Sequence, residues 1–280
     1  MSELDNQIAD AIDELESLAE VNIVKISEGA ELMAQDTSAK IESGFKHIDD
    51  CIAGGFREGD FNVISGIPGE GKTTFCRMLT MNFHEKNIPS LWFSYEMTLR
   101  ELWDSFENMG ASKEMVGFAP QELNDDLEWV FRHIDKAIRE RQVKAIFIDT
   151  LGDIVKSVKS QQEMNNYANY LSQICKDLRR YAIKNNVMIF VIAHAVKNTR
   201  SKSNETDNAD IANSNGIPAA ATNIFHVWRE ETETESSTIV KVGKSRRDGT
   251  KKNWRVKFQY KDGLLIEKTS ASDVDKDKLW

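Results

Sequence analysis

Short runs of consecutive hydrophobic residues recur along the chain at intervals that suit an α/β protein. They lie at residues 61–65, 90–95, 144–149 and 187–193. Near-continuous apolar runs of this length are typical of parallel strands that are covered on both faces by helices. From about Ile41 onward, the pattern therefore predicts strands and helices that alternate around a central, mostly parallel sheet.

Two stretches instead show the three-to-four residue spacing of an amphipathic helix. One apolar stripe runs across residues 163–184, and a second across residues 3–20, where the other face is nearly all acidic. An isolated helix as short as residues 3–20 is only marginally stable in water. We expect its apolar stripe to pack either on the core of its own chain or on a neighbouring subunit. Residues 27–40 are predicted to form a linker.

The last quarter of the chain has a different pattern, with short strand-like segments separated by turn signals such as Lys261-Asp-Gly263. These segments lie at residues 222–229, 237–244, 254–260 and 263–267. Such spacing predicts antiparallel strands added at the edge of the sheet. We therefore divide the chain into an acidic N-terminal helix and linker, residues 1–40, and one α/β domain, residues 41–280.

The net charge of −9 is concentrated at the N-terminus. The first 40 residues contain ten acidic residues and two lysines, a net charge of −8, so the other 240 residues sum to −1. The acidic balance therefore does not argue against nucleic-acid binding by the α/β domain, for which a local basic patch matters. No apolar run is long enough to span a bilayer, so we expect no membrane partner.

The three cysteines and five histidines give no sign of a disulfide framework or a zinc site. Cys51, Cys76 and Cys175 are far apart, and no C-x-x-C or H-E-x-x-H motif is present. The N-terminus also lacks a signal-peptide pattern. Together these features predict a reducing, cytosolic setting.

The strand at residues 61–65 leads into a phosphate-binding loop. Residues 66–73, GIPGEGKT, fit G-x-x-x-x-G-K-[ST], and a helix is predicted from Thr74 to about Lys86. Glycine permits the tight turn and the close approach of backbone N–H groups to phosphate oxygens. We expect Lys72 to reach the β- and γ-phosphates of ATP and the Thr73 hydroxyl to ligate Mg²⁺. The predicted nucleotide-binding residues here are Gly66, Pro68, Gly69, Gly71, Lys72, Thr73 and Thr74.

Three polar residues stand where predicted strands end, which is where open α/β sheets bind ligands. Asp149 either holds Mg²⁺ or caps the turn that follows it. Glu96 either orients and deprotonates an attacking water or is simply solvated. His194 either contacts the γ-phosphate and reports its hydrolysis or has a structural role.

Two cationic residues near the C-terminus are further candidates for a role in ATP hydrolysis. Lys244 and Arg246 are two residues apart on a predicted strand and therefore share a face. They form either an ordinary solvated edge or an arginine finger with its companion, supplied to the ATP of the next subunit.

A long polar segment, residues 196–215, follows His194 directly. Loops of this length are usually functional or disordered. Its basic residues are predicted to contact single-stranded DNA, and they are Lys197, Arg200 and Lys202. Residues 154–163 are a second candidate for this contact.

In this order, the features resemble the RecA-fold motor domain of DnaB-type hexameric replicative helicases, including the helicase half of phage primase-helicases. The resemblance covers residues 41–268. Phe93-Ser-Tyr-Glu96-Met97 is similar to the family strand whose glutamate is the catalytic base, and His194 falls at the position of the γ-phosphate sensor. Lys244-Ser-Arg246 is similar to the K-x-R pair that acts in trans, and Tyr260 to the aromatic residue that stacks on the nucleotide base.

The resemblance implies a RecA-like P-loop NTPase fold that uses ATP and Mg²⁺. It also implies a homo-oligomeric ring, expected to be a hexamer, that moves along single-stranded DNA and unwinds duplex, with a separate primase or loader as a further partner. If the chain is phage-encoded, its setting is the bacterial host cytoplasm. Two alternatives remain: a RecA-like recombinase or strand-annealing ATPase that forms filaments, and a loader ATPase regulated by a partner protein.

Overall fold

The computed structural model describes Lys25 and residues 40–154, 167–196, 204–211, 216–231, 236–247 and 254–268. The predicted helix at residues 3–20 and most of the linker lie outside these residues. So do residues 155–163 and all three residues predicted to contact DNA, Lys197, Arg200 and Lys202. The assignments made for these segments therefore stay predictions, as does the division of the chain at residue 40.

A single nine-stranded sheet organises the α/β domain, with the strands in the order β3-β2-β4-β5-β1-β6-β7-β8-β9. The strands are β1 (Phe61–Gly66), β2 (Ser90–Ser94), β3 (Gly117–Phe118), β4 (Ala145–Asp149), β5 (Met188–His194), β6 (Asn223–Glu231), β7 (Ser236–Ser245), β8 (Arg255–Lys261) and β9 (Leu264–Glu267). Following this order across the sheet, neighbouring strands pair in parallel from β3 as far as β6. From β6 to β9 they pair antiparallel. The predicted mostly parallel sheet with antiparallel edge strands is confirmed.

One detail of the predicted tail was wrong. The segment at residues 222–229 was grouped with the antiparallel additions, but β6 pairs in parallel with β1 and only its other edge is antiparallel, to β7. The four residues of β6 that pair with β1, residues 223–226, are all buried. This strand therefore lies inside the sheet, and the antiparallel addition begins one strand later.

The helices lie between the strands and cover both faces of the sheet. They are α1 (Lys46–Cys51), α2 (Lys72–Glu85), α3 (Leu99–Glu107), α4 (Leu127–Arg141), α5 (Leu151–Ile154), α6 (Tyr167–Asn185) and α7 (Gly216–Ala220). A 3₁₀ turn spans Asn208–Asp210. None of the helices in the described part of the chain is both long and apolar enough to cross a membrane.

Alternate residues of the central strands belong to two hydrophobic cores, one on each face of the sheet. Ile64, Phe147 and Phe190 belong to the core that also contains the buried residues of α2. Their sequence neighbours, such as Val63 and Ile189, belong to the core packed against α4 and α6. Successive side chains of a strand point to opposite faces, so strands buried on both faces need the unbroken apolar runs seen in the sequence.

The pairing registers bring the strand ends with candidate chemistry to one edge of the sheet. Gly66 of β1 is opposite His194 of β5, and Ser94 of β2 is opposite Asp149 of β4. All four strands are parallel, so this is their shared carboxyl edge. Ligands bind at this edge in open α/β sheets.

Candidate nucleotide and catalytic site

The phosphate-binding loop joins β1 to α2 in a conformation that favours glycine at several of its positions. Gly71 has a φ of 97°, in the left-handed region, immediately before α2 begins. Gly66 packs so closely on β6 that an added Cβ would lie 2.3 Å from the Val227 carbonyl oxygen. The loop therefore presents backbone N–H groups and the N-terminus of a 14-residue helix at the carboxyl edge.

Lys72 is the first residue of α2 and is only 5% exposed. Its ammonium donates a hydrogen bond of 2.9 Å to the Ile67 carbonyl oxygen, within its own loop. Burial lowers the pKa of this lysine, and the carboxylates of Asp149 and Glu96 oppose that shift. The lysine is thus a desolvated cation next to the place where phosphates would enter.

Thr73 and Asp149 meet directly. The Thr73 hydroxyl donates a hydrogen bond of 2.8 Å to Oδ2 of Asp149, which is fully buried at the end of β4. The other carboxylate oxygen, Oδ1, is buried without a hydrogen-bond partner. Burial raises the pKa of Asp149 to about 6, and the bond from Thr73 opposes this. A buried carboxylate with an unused oxygen beside a hydroxyl suits a hard divalent cation.

No group of three or more His, Cys, Asp or Glu side chains forms a potential metal cluster in the residues that the structure describes. Thr73 and Asp149 would hold Mg²⁺ together with substrate phosphates and water, since Mg²⁺ is usually bound by one or two protein ligands.

Glu96 and His194 form a pair beside the phosphate-binding loop. Nε2 of His194 lies 3.2 Å from Oε1 of Glu96, and the two side chains are 39% and 47% exposed. Nδ1 of His194 is buried without a partner. The Glu96 charge also acts on Lys72 and Asp149. The structure thus brings together the predicted base, sensor, lysine and metal ligands.

The predicted base-stacking residue, Tyr260, has a cationic neighbour. Tyr260 on β8 is 52% exposed. It lies close enough to Arg77 to oppose the lowering of the arginine's pKa by burial. Arg77 in turn donates a hydrogen bond of 3.1 Å to the Thr74 hydroxyl. The sequence motif does not include Arg77. Its position three residues after Thr74 on a predicted helix could have indicated the contact between the two side chains.

Lys244 and Arg246 lie at the opposite edge of the sheet, where the parallel strands have their amino ends. Ser245, between them, pairs with Asn223, which pairs with Asn62 near the start of β1. Asn62 and Gly66 are four residues apart, about 13 Å along a strand. The structure therefore does not bring these two cations to the phosphate-binding loop of the same chain.

Both cations are instead held by main-chain oxygens in α7 and just after it. The Lys244 ammonium donates to the Pro218 carbonyl oxygen. Nε of Arg246 donates to the Ala221 carbonyl oxygen at 2.9 Å, and Nη2 donates to that of Ala219. Burial lowers the pKa of Lys244 to about 8, and the nearby Arg246 and Arg179 lower it further. Sequence reasoning missed Arg179, which lies on α6 and becomes a neighbour only through the fold.

The comparisons with known proteins agree with this architecture. Residues 41–265, which are most of the chain, match the family described as "ATPase: KaiC". In fold, the chain is similar to the solved structure entitled "The Structure Of A DnaB-Like Replicative Helicase And Its Interactions With Primase". The TM-score is 0.72 at 18% identity, over 92% of this chain and 71% of that one. The predicted RecA-like fold and the resemblance to DnaB-type helicases are confirmed.

Curated relatives match only in part. A probable replicative DNA helicase of Trieres chinensis is 27% identical over 190 residues, which is 59% of this chain and 41% of the relative. The DNA repair protein RadA of Haemophilus influenzae is 26% identical over 178 residues, or 62% of this chain and 35% of the relative. The chain thus spans less than half the length of these two relatives.

Proposed function

The chain belongs to the ATPase family described as KaiC, and on this premise we propose that it is the motor of a ring-forming, ATP-driven DNA helicase that translocates on single-stranded DNA. The observation that carries the proposal is the division of its chemistry between two edges of one sheet. Lys72, Thr73 and Asp149 stand at the carboxyl edge with Glu96 and His194 beside them. Lys244 and Arg246 stand at the other edge.

In the proposed reaction, the carboxyl edge binds and hydrolyses ATP. Lys72 exchanges the Ile67 carbonyl oxygen for oxygens of the β- and γ-phosphates. Thr73 and Asp149 would hold Mg²⁺, which neutralises charge on the phosphates. Glu96 accepts a proton from the attacking water through its carboxylate, of which only Oε1 contacts His194. His194 faces the γ-phosphate.

The opposite edge serves a neighbouring subunit. Lys244 and Arg246 lie too far from their own phosphate-binding loop to take part in hydrolysis there, whereas a head-to-tail ring brings the edge of one subunit to the loop of the next. Heterologous contacts of this kind close into rings when the rotation between subunits permits. The guanidinium of Arg246 would then stabilise charge on the transferred γ-phosphoryl group.

The proposal extends to DNA and to partners. Hydrolysis would shift the segments after β5 that grip single-stranded DNA in the ring channel, including Lys197, Arg200 and Lys202. A separate primase is proposed by analogy with the DnaB-like helicase whose solved structure includes interactions with primase. The hexamer and a loader are proposed from the resemblance to DnaB-type hexameric helicases. The similarity to the DNA repair protein RadA keeps a second candidate open, a recombination or repair ATPase. In the second candidate, the protein would form filaments on DNA.

Unwinding of a forked duplex tests the proposal. We expect the protein with ATP and Mg²⁺ to separate the strands, and the same protein with a non-hydrolysable ATP analogue to bind the fork without separating them. The Glu96→Gln variant is the matched control, since it retains the loop and the metal ligands. Electron microscopy of the analogue complex on single-stranded DNA should show closed rings.

Three results would redirect the assignment. Filaments on DNA with no unwinding would favour the recombinase. ATP hydrolysis that only a partner protein stimulates, with no unwinding, would favour the loader ATPase. Absence of ATP hydrolysis under all of these conditions would contradict every form of the proposal.

A further inference from the structure

The phosphate-binding loop contains an acidic residue whose place there needs an explanation. Glu70 lies between Gly69 and Gly71, where bound phosphates would bring several negative charges close to its carboxylate. Like charges at such short range repel strongly in a partly desolvated site. A carboxylate at this position weakens phosphate binding unless other groups hold it.

Two hydrogen bonds hold Glu70 in place. Oε2 accepts from the backbone N–H of Arg229 on β6 at 2.6 Å. Oε1 accepts from Nδ2 of Asn204 at 2.7 Å. Asn204 is 134 residues away in sequence and precedes the 3₁₀ turn that leads back to β5. Glu70 thus joins the phosphate-binding loop to a distant segment.

Residues 204–211, which we call the strap, are firmly attached to the antiparallel part of the sheet. The Glu205 carboxylate accepts from Nζ of Lys241 at 2.9 Å and from Nη2 of Arg255 at 2.7 and 2.8 Å. Lys241 is itself only 2% exposed. The ring of the buried His226 lies 2.9 Å from Oδ1 of Asn208. These charge-assisted contacts fasten the strap to β7 and β8.

The far end of the strap reaches the strand that carries His194. The backbone N–H of Val196 donates to the Asp210 carbonyl oxygen at 2.8 Å, and Ala195 forms a β-bridge with Ile211. The strap therefore connects the phosphate-binding loop, through Asn204, with the end of β5, through Asp210 and Ile211.

We infer that Glu70 and Asn204 are positioning residues that transmit nucleotide binding in the phosphate-binding loop to the strap. Entering phosphates draw Lys72 from the Ile67 carbonyl oxygen and so rearrange the loop that carries Glu70, and nucleotide binding thereby acts on the Glu70–Asn204 bond directly. Any effect of the strap on DNA binding rests on the proposed function, because the strap follows the segment proposed to grip single-stranded DNA. The transmission of nucleotide binding to the strap requires only that the protein binds ATP.

Hydrogen–deuterium exchange of the full-length protein tests the inference. The readout is the exchange of backbone amides in residues 204–211, with and without a saturating non-hydrolysable ATP analogue and Mg²⁺. In the unaltered protein, the analogue should change exchange of the strap about fivefold or more, the lower end of usual allosteric couplings. Glu70→Ala and Asn204→Ala should each lose this response while still binding the analogue.

A paired substitution separates a specific link from general damage. Glu70→Gln combined with Asn204→Asp reverses donor and acceptor. The new amide at position 70 can accept from the Arg229 N–H and donate to the new carboxylate at position 204. This double variant should regain the response. Glu58→Ala is the control for loss of one acid, because Glu58 pairs with Lys144 at the other edge of the sheet.

Each outcome decides the matter. An unresponsive strap in the unaltered protein, or a full response in Glu70→Ala or Asn204→Ala, would overturn the inference. Loss in both single variants with no recovery in the double variant would point to general damage and would also count against it. A responsive strap in a protein that fails to unwind forked DNA would refute the helicase proposal and leave this inference standing.

Discussion

Lys72 lies buried under the phosphate-binding loop with its ammonium on a carbonyl oxygen of that loop. We expect Lys72→Ala to abolish ATP hydrolysis and to weaken nucleotide binding about 10- to 100-fold, the usual range for a lost hydrogen bond to a charged group. ATPase assays and titration with a fluorescent nucleotide measure the two effects. Lys86→Ala, which removes a surface ion pair with Glu42, should change neither. Unaltered hydrolysis in Lys72→Ala would contradict the site.

Glu96 separates catalysis from binding. The Glu96→Gln variant should bind ATP as well as the unaltered protein, because Glu96 makes no contact with the phosphate-binding loop among the hydrogen bonds of the described residues. Turnover should fall by about 10²–10⁴, the usual contribution of a general base. Single-turnover ATP hydrolysis measures this effect. Normal turnover would remove Glu96 from the catalytic role.

Asp49 gives a pH-dependent prediction for stability. Burial raises its pKa from 3.8 to about 6, against the opposing hydrogen bond of 2.7 Å from the Ser43 N–H. Between these values the folded protein binds a proton that the unfolded chain does not, so raising the pH through this window lowers stability. Relative to Asp49→Asn, the unaltered protein should lose on the order of 1 kcal/mol from pH 4 to above pH 6, an amount reduced by solvent screening.

Chemical denaturation of both proteins at several pH values measures this difference. An asparagine can still accept the Ser43 N–H bond, so the variant isolates the charge of Asp49. A constant difference in the free energy of unfolding across the window would show that Asp49 does not titrate as its burial implies.

Individual residues differ in how far the sequence could identify them. Lys72 and Thr73 have fixed places in a motif, and Asp149 ends a hydrophobic run. The Glu70–Asn204 contact had no such signal, because it joins residues far apart in sequence through side chains that no periodic pattern specifies. Such contacts depend on how loops cross the finished sheet.

At the level of elements, hydrophobic runs located the strands to within two residues because strands buried on both faces need them. The two-residue β3 has too little sequence to produce a run. The helices α3 and α4 were not assigned individually, although their N-caps were readable. Thr98 and Glu101 form a capping box, and the Asp126 side chain accepts from two backbone N–H groups at the start of α4.

The segment after β5 carries the prediction for DNA binding at this scale. Single-strand affinity should fall with salt, with a slope of log affinity against log salt of about −0.7 for each phosphate contacted. Lys197→Ala or Arg200→Ala should make the slope shallower. Fluorescence anisotropy at several salt concentrations measures it, and Lys86→Ala is a control for loss of a surface lysine. If both substitutions leave affinity and slope unchanged, residues 196–215 are not the DNA contact.

For the whole molecule, the order of the strands in the sheet determines where the candidate catalytic residues lie. That order could not be predicted from the sequence. Local pattern gives strand positions, but β1 lies between β5 and β6 only because distant segments pair. The pairing places the phosphate-binding loop and the Lys244–Arg246 pair at opposite edges. A complete site as proposed therefore needs two subunits.

The central claim is that Arg246 completes the ATP site of a neighbouring subunit. Arg246→Ala should leave ATP binding nearly intact and lower hydrolysis by about 10³–10⁵, the usual contribution of an arginine finger. Arg246→Lys should not restore hydrolysis, because a point charge does not reproduce the planar fork. Arg247→Ala is the neighbouring control, since Arg247 instead pairs with the buried Asp60.

Mixing Arg246→Ala with Lys72→Ala subunits tests this claim most directly. Neither variant should hydrolyse ATP alone, but a mixed ring contains interfaces that pair an intact phosphate-binding loop with an intact Arg246. We predict partial recovery of ATP hydrolysis on mixing, in samples shown to co-assemble by analytical ultracentrifugation. No recovery in co-assembled mixtures, or full activity of Arg246→Ala alone, would contradict the shared site.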